Sequence, residues 1–251
     1  MSVEKIALVT GAGKRLGWAI AQALAEQGYA LGLHYNSSSA GAERLCAGIH
    51  AAGGHAALVQ KDLSQPETAG ELIAQTAAAL GGPESVLINS AAAFQMDNLR
   101  DLTPESWQYL INANAAAPVF LMQAFANQNP APTDGAIINL LDTQLTSASP
   151  ERFSYFCGKF ALEGATRLAA YDLGPQGIRV NAIAPGLVLP SDQSQQNFDD
   201  RQALTPLDAG LGPADIVQAV QYLIAARQVT GHTLVVDAGQ QLMGFGNAPI
   251  G

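Results

Sequence analysis

Short runs of aliphatic and β-branched residues alternate with longer alanine-rich stretches along the whole chain. The short runs are KIALVT (5–10), YALGLHY (29–35), HAALVQK (55–61), SVLINS (85–90), AIINLLD (136–142), IRVNAIA (178–184) and HTLVVDA (232–238). Several place apolar residues at successive positions, hence on both faces, as in a strand buried inside a parallel sheet. The stretches between them predict helices near 15–27, 39–52, 66–80, 104–128, 151–173 and 214–227. Such alternation predicts an α/β fold: a Rossmann-like, doubly wound parallel sheet of about seven strands with helices on both faces. With no internal repeat and no linker, residues 1–251 are expected to form one domain. One stretch follows neither period: LVLPSDQSQQNFDDRQALTPLDAGLGP, 187–213. It is expected to be a loop over a substrate, the alternative being a plain surface excursion.

Composition narrows the class. Hydrophobic residues make up 48% and charged residues 13% of 251, a globular balance. A net charge of −9 argues against a surface for nucleic acid or an anionic membrane, though not against a small basic pocket. Cys46 and Cys157 fit neither a metal spacing nor a disulfide framework, so both are expected to fill apolar space in a reducing compartment, with no metal bound. MSVEK leads straight into the first strand without a signal-peptide pattern. The longest apolar run, ANAAAPVFLMQAFA, is short for a membrane span and carries Pro118 and Gln123. The expectation is a soluble, cytoplasmic protein.

The first strand runs into TGAGKRLGWAIA, 10–21, with glycines at 11, 13 and 17. In a strand–turn–helix setting, glycines let backbone approach a pyrophosphate, and the helix N-terminus offers free N–H groups to the anion. A turn with no ligand is the bland alternative. The end of the second strand then discriminates between cofactors. An NAD site calls for an acid there to bond the ribose 2′-hydroxyl. This chain has Asn36, Ser37 and Ser38 instead, while Lys14 and Arg15 supply cations that could face a 2′-phosphate. The reading is NADP(H), and a serine acting as a helix N-cap is compatible with it.

NLLDTQLTSASPERFSYFCGK, 139–159, carries the candidate chemistry. Tyr155 and Lys159 stand four apart and share a helix face. A free phenol, with pKa about 10, exchanges protons poorly near neutrality, and a nearby ammonium favours phenolate. Asp142, at the end of the fifth strand, could bond a nitrogen heterocycle and relay a proton, or could simply close a turn through its side chain. Phe94 follows the fourth strand at the carboxyl edge of the sheet, where such folds bind ligands. Trp107, Phe120 and Phe160 are expected in the core, His34 as a strand histidine without chemistry, and Cys157 in packing.

Several of these motifs together carry a resemblance. TGAGKRLG (10–17), Asp62–Leu63, LINSAA (87–92), Asn114 in NANAAAPVFL, Tyr155 and Lys159 in YFCGK, RVNAIAPG (179–186) and TGHTLVVDAG (230–239) resemble, in order and spacing, the short-chain dehydrogenase/reductase family. Within it the chain is similar to pteridine reductases, including bacterial dihydromonapterin reductases. Arg15 stands where most members have a third glycine, and Asp142 where most have a catalytic serine. The resemblance implies cofactor contacts from Gly11, Lys14, Arg15, Leu16, Gly17, Tyr35, Asn36, Ser37, Ser38, Asp62, Leu63, Asn89, Ser90, Ala91, Tyr155, Lys159, Pro185, Gly186 and Val188. It implies catalysis by Asn114, Asp142, Tyr155 and Lys159, with Lys159 also holding the nicotinamide ribose and Asn114 anchoring a water. Substrate contacts fall on Arg15, Phe94, Asp142 and Tyr155, with a pterin ring stacked between nicotinamide and Phe94. Departures are Ser90 for an Asn, Ala92 for a Gly, and Val188 where some pteridine reductases carry Ser. A homotetramer is implied, with a four-helix interface from 104–128 and 151–173, and the tail 240–251 buried at another contact. The implied activity is NADPH-dependent reduction of a dihydropterin. The alternatives are a carbonyl or oxoacyl reductase of the same family, disfavoured because an ionised Asp142 repels a developing oxyanion, and a non-enzymatic NADP-binding regulator.

Overall fold

The computed structural model describes residues 5–128, 134–146, 148–190, 195–207 and 210–243. The seven strands are β1 (Ile6–Val9), β2 (Ala30–Tyr35), β3 (Ala56–Gln60), β4 (Val86–Asn89), β5 (Gly135–Leu140), β6 (Ile178–Pro185) and β7 (Thr233–Val236). They form one sheet in the order β3-β2-β1-β4-β5-β6-β7, and every pair is parallel. β1, β4, β5 and β6 are buried along their length, which accounts for their apolar runs. The chain moves outward from β1 to β2 and β3, then returns to place β4 on the other side of β1. That reversal opens a crevice beyond the carboxyl ends of β1 and β4, the ligand position of such sheets.

The helices are α1 (Arg15–Glu26), α2 (Ser39–Ala51), α3 (Ala69–Leu80), α4 (Pro104–Ile111), α5 (Ala117–Ala126), α6 (Phe153–Leu173), α7 (Gln195–Ala203) and α8 (Pro213–Ala225). Two expectations are corrected. The continuous helix over 104–128 is instead α4 and α5 joined by a π turn, Asn112–Ala116, centred on Asn114. Amphipathic periodicity does not register a one-residue bulge, and such bulges occur at functional sites. The stretch 187–213 is also not wholly irregular, since it contains α7, whose polar sequence gives little apolar periodicity.

Buried polar bonds fix the parts relative to one another. The Thr10 hydroxyl accepts from the N–H groups of Ser90 (2.9 Å) and Ala91 (3.0 Å), joining the turns after β1 and β4. Deeper in, Asn89 donates to Asn139 (2.8 Å), which donates to Thr166 on α6 (2.9 Å). This chain sets the position of α6 over β4 and β5, and with it the position of Tyr155 and Lys159. Where α6 crosses the π turn, a Cβ at Gly158 would lie 2.9 Å from Asn114 Cβ, so only glycine permits that approach.

Phe120 and Phe160 are not core residues. They are half-exposed on α5 and α6, and Trp107 is partly buried against Phe153. Among the described residues, no helix is long and apolar enough to cross a membrane, and no cluster of side chains is suited to holding a metal.

Candidate active site

The glycine turn after β1 is shaped by close contacts. Gly11 has φ +69°, and a Cβ there would lie 3.0 Å from Ala91 Cα. Cβ atoms at Gly13 and Gly17 would strike Ser38 Oγ and the Gly11 carbonyl, each at 2.3 Å. The N-terminus of α1 has no side-chain cap and no acid in its first turn. Its N–H groups are therefore left for an anion, and the residues fit a dinucleotide pyrophosphate.

Arg15 adopts φ +54°, a region that costs a non-glycine residue about 1–2 kcal/mol. Its guanidinium donates to the carbonyls of Pro190 (2.7 Å) and Leu189 (3.3 Å). It thus fastens the glycine turn to the chain leaving β6. The same segment is held by Leu187 N–H donating to Gln240 (3.0 Å) and by Gln202 donating to the Leu187 carbonyl (2.7 Å). Gly186 packs against Asp237, and Val188 is buried. Pro185 ends β6.

At the end of β2, Asn36 and Ser37 are exposed and Lys14 is exposed in the glycine turn. Ser38 occupies the N-cap of α2 without a capping bond, its hydroxyl against Gly13. Asp62 is close by in space. Its Oδ1 accepts from Asn36 Nδ2 (3.3 Å) and Ser64 N–H (2.9 Å). Leu63 is buried beside it and Tyr35 is half-buried. Leu16 packs against the core, and Ser90 and Ala91 border the turn through Thr10. The Asn89 side chain bonds Asn139 inside the sheet.

Tyr155 donates its hydroxyl proton to Asp142 Oδ2 at 3.1 Å, and Asp142 Oδ1 accepts from Gln144 N–H at 2.8 Å. The carboxylate therefore both closes the turn after β5 and holds the phenol. Burial raises the Asp142 pKa, opposed by the Gln144 and Tyr155 bonds and by the charges of Lys159 and Arg152. Burial, then Asp142, push the Tyr155 pKa well above its ordinary value. The expectation of an ammonium favouring phenolate is corrected, because Lys159 Nζ donates to the Leu140 carbonyl (2.7 Å) and stands 5.8 Å from the Tyr155 ring. Burial lowers the Lys159 pKa to about 8, with Asp142 opposing. A phenol with so high a pKa stays protonated at neutral pH and donates a hydrogen bond to the carboxylate, but gives up its proton less readily than a free phenol.

Asn114 is buried and its amide serves a neighbouring turn. It donates to the carbonyls of Ala93 (2.8 Å) and Leu110 (3.0 Å), and accepts from Ala93 N–H (3.2 Å). It fixes the segment that leads to Phe94. Phe94 is 46% exposed, not core, and meets the Tyr155 ring edge-on with centroids 5.2 Å apart.

Two residues make contacts that their place in the sequence does not announce. Buried His34 accepts from Gly11 N–H at Nδ1 (3.1 Å) and faces the Lys61 carbonyl from Nε2 (3.1 Å). Only the neutral ring with its proton on Nε2 satisfies both, and burial lowers its pKa to about 4. It supports the glycine turn from β2, a role signalled only by a polar residue inside an apolar strand. Arg152, beside Tyr155 in sequence, places its guanidinium carbon 4.7 Å from the centre of the Phe94 ring. Cys157 is a partly buried free thiol and Cys46 a buried one.

A family profile described as enoyl-(acyl carrier protein) reductase matches residues 11–241. Pteridine reductase 1 of Leishmania tarentolae is 33% identical over 94% of this chain and 96% of its own length. The 3-oxoacyl-[acyl-carrier-protein] reductase FabG of Staphylococcus epidermidis is 30% identical over 96% of this chain and all of its own. Among solved structures, FolM alternative dihydrofolate reductase 1 from Brucella canis, complexed with NADP, superposes with a TM-score of 0.91 at 33% identity, covering 98% of this chain and 97% of that one. Its counterpart from Brucella suis, also with NADP, gives 0.90 at 34%, covering 96% and 97%. The order of the strands, the glycine turn, the tyrosine and lysine on α6 and the length over which these relatives match lead to one conclusion: the chain is an oxidoreductase belonging to the short-chain dehydrogenase/reductase family.

Proposed function

We propose that this chain is an NADPH-dependent reductase that acts on a C=N bond of a dihydropterin-type substrate. The observation that carries the reading is the carboxylate of Asp142 accepting the Tyr155 hydroxyl proton. A carbonyl oxygen becoming negative gains nothing from an anion at that point. A pterin presents ring N–H and amino donors that a carboxylate accepts, and its C=N nitrogen must gain a proton.

The uncapped α1 N-terminus, the turn from Gly11 to Gly17, Ser90 and Ala91 would cradle the pyrophosphate, with Asp62 and Leu63 on the adenine side. Asn36, Ser37 and Lys14 would meet the 2′-phosphate. Bound NADPH supplies the hydride. Tyr155 holds the proton that the adjacent nitrogen gains, Asp142 orients that phenol and the substrate's N–H edge, and Lys159 would hold ribose hydroxyls and balance the Asp142 charge. Phe94 offers a ring face for stacking. NADP in the two FolM structures and the pteridine reductase relative support this reading.

A homotetramer belongs to the same reading. Val119, Phe120, Phe160 and Leu168 form exposed apolar surface on α5 and α6 that a four-helix interface would cover. The setting would be a cytoplasm. The segment 187–213, whose Leu189 and Pro190 carbonyls are held by Arg15, would meet the pterin side chain.

The Staphylococcus relative favours a second reading, 3-oxoacyl reduction. NADPH oxidation with 7,8-dihydrobiopterin and with acetoacetyl thioester separates the two. The pterin reading expects a kcat/KM at least about 10²-fold higher for the dihydropterin, the range of one acid–base group. A preference for the thioester overturns it.

A further inference from the structure

Arg152 carries five N–H donors in a fixed fork, a geometry suited to carboxylates. Its guanidinium has no hydrogen bond or ion pair to any described residue, although it is partly buried. It packs on the Phe94 ring, whose edge meets Tyr155, so its carbon lies within about 10 Å of the centre of the phenol ring. It makes no ion pair with Asp142, although its charge reaches both Asp142 and Tyr155.

Its backbone is not free to move away. Asp97 and Arg152 form a parallel β-bridge, Asp97 N–H donates to the Glu151 carbonyl (3.0 Å), and Phe153 N–H donates to the Asp97 carbonyl (3.2 Å). The Asp97 side chain takes the Ser154 N–H at 3.1 Å, closing the start of α6. The segment bearing Phe94 and the segment bearing Arg152 are thus one wall. Arg15, by contrast, is already bonded to two carbonyls. On a chain with net charge −9, a guanidinium left without an acceptor among the described residues, beside Phe94, is a specific feature.

We infer that Arg152 is a specificity-determining residue that receives a carboxylate on the side chain of the substrate, so that the site takes a dihydropterin with an anionic tail. This rests on the pterin reading above. The ring would stack near Phe94, with its tail passing over that residue to the guanidinium.

The test compares 7,8-dihydrofolate, whose tail carries carboxylates, with 7,8-dihydrobiopterin, whose side chain is neutral. Arg152 also lowers the pKa of Tyr155 and Asp142 through its charge. That effect acts on both substrates and cancels in the ratio of their kcat/KM values. In Arg152→Gln the dihydrofolate/dihydrobiopterin ratio is expected to fall at least about tenfold, the scale of one charge-assisted bond, and mainly through KM. Arg152→Lys should recover part of it, and rising ionic strength should lower the wild-type ratio. A ratio unchanged within twofold in Arg152→Gln overturns the inference even if both activities drop. Wild-type protein that reduces acetoacetyl thioester but neither pterin overturns the pterin reading and this inference with it.

Discussion

Glu84 precedes β4, is 0% exposed, and neither carboxylate oxygen has a hydrogen-bond partner. Burial raises its pKa from 4.5 to about 7. The folded protein keeps this proton up to about pH 7, while the unfolded chain releases it near pH 4.5. The full stability is present below pH 4.5 and is lost as pH rises through about 7. At 1.36 kcal/mol per unit the loss totals about 3 kcal/mol. Buried His34 acts in the opposite sense. Its folded pKa of about 4 lies below the ordinary 6.5, so its stability is present above pH 6.5 and lost as pH falls towards 4, also about 3 kcal/mol. The two windows overlap, and in the wild type they nearly cancel. Glu84→Met removes one side of the balance. It breaks no side-chain bond, because Gln128 pairs with the Glu84 backbone N–H (2.9 Å) and carbonyl (3.2 Å) only. Urea unfolding of the two proteins at pH 4.5, 6 and 8 should show equal stability at pH 4.5 and a variant more stable by about 3 kcal/mol at pH 8. The variant alone should gain stability between pH 4 and 6.5, the His34 effect unmasked. A difference that stays constant with pH, or a variant weaker at pH 8, refutes the reasoning.

Three further outcomes follow from the site. NADPH should be preferred over NADH in kcat/KM, and Ser37→Asp should move the preference towards NADH by placing an acid where a 2′-phosphate would lie; equal values for the two cofactors in the wild type contradict this. Tyr155→Phe should lower kcat by about 10²-fold or more while NADPH affinity, read by fluorescence titration, stays within a few-fold. Lys159→Ala should reduce both, and normal turnover by the Phe variant would place the proton elsewhere.

All seven strands could be read from the sequence, because a sheet buried on both faces leaves unbroken apolar runs. The pairing of Tyr155 with Asp142 could be anticipated from a strand end and a helix start that a parallel sheet brings together. The break at Asn114 could not, since α4 and α5 keep an apolar face through the π turn. Phe120 and Phe160 misled because an outward apolar face has the same periodicity as an inward one. The contacts of Arg15, Arg152 and His34 were not legible for one reason. Their partners are backbone carbonyls, a backbone N–H and a ring face, none of which leaves a mark in residue type.

The central claim is that a carboxylate at position 142 selects a nitrogen heterocycle. Asp142→Ser tests it most directly, by substituting the hydroxyl that most relatives use. Removing the carboxylate also removes the charge and the hydrogen bond that raise the Tyr155 pKa after burial itself. Steady-state kcat/KM for 7,8-dihydrobiopterin and for a simple ketone, each with saturating NADPH, should show the dihydropterin value falling about 10²-fold or more while ketone reduction rises. Full dihydropterin activity in the serine variant would contradict the account.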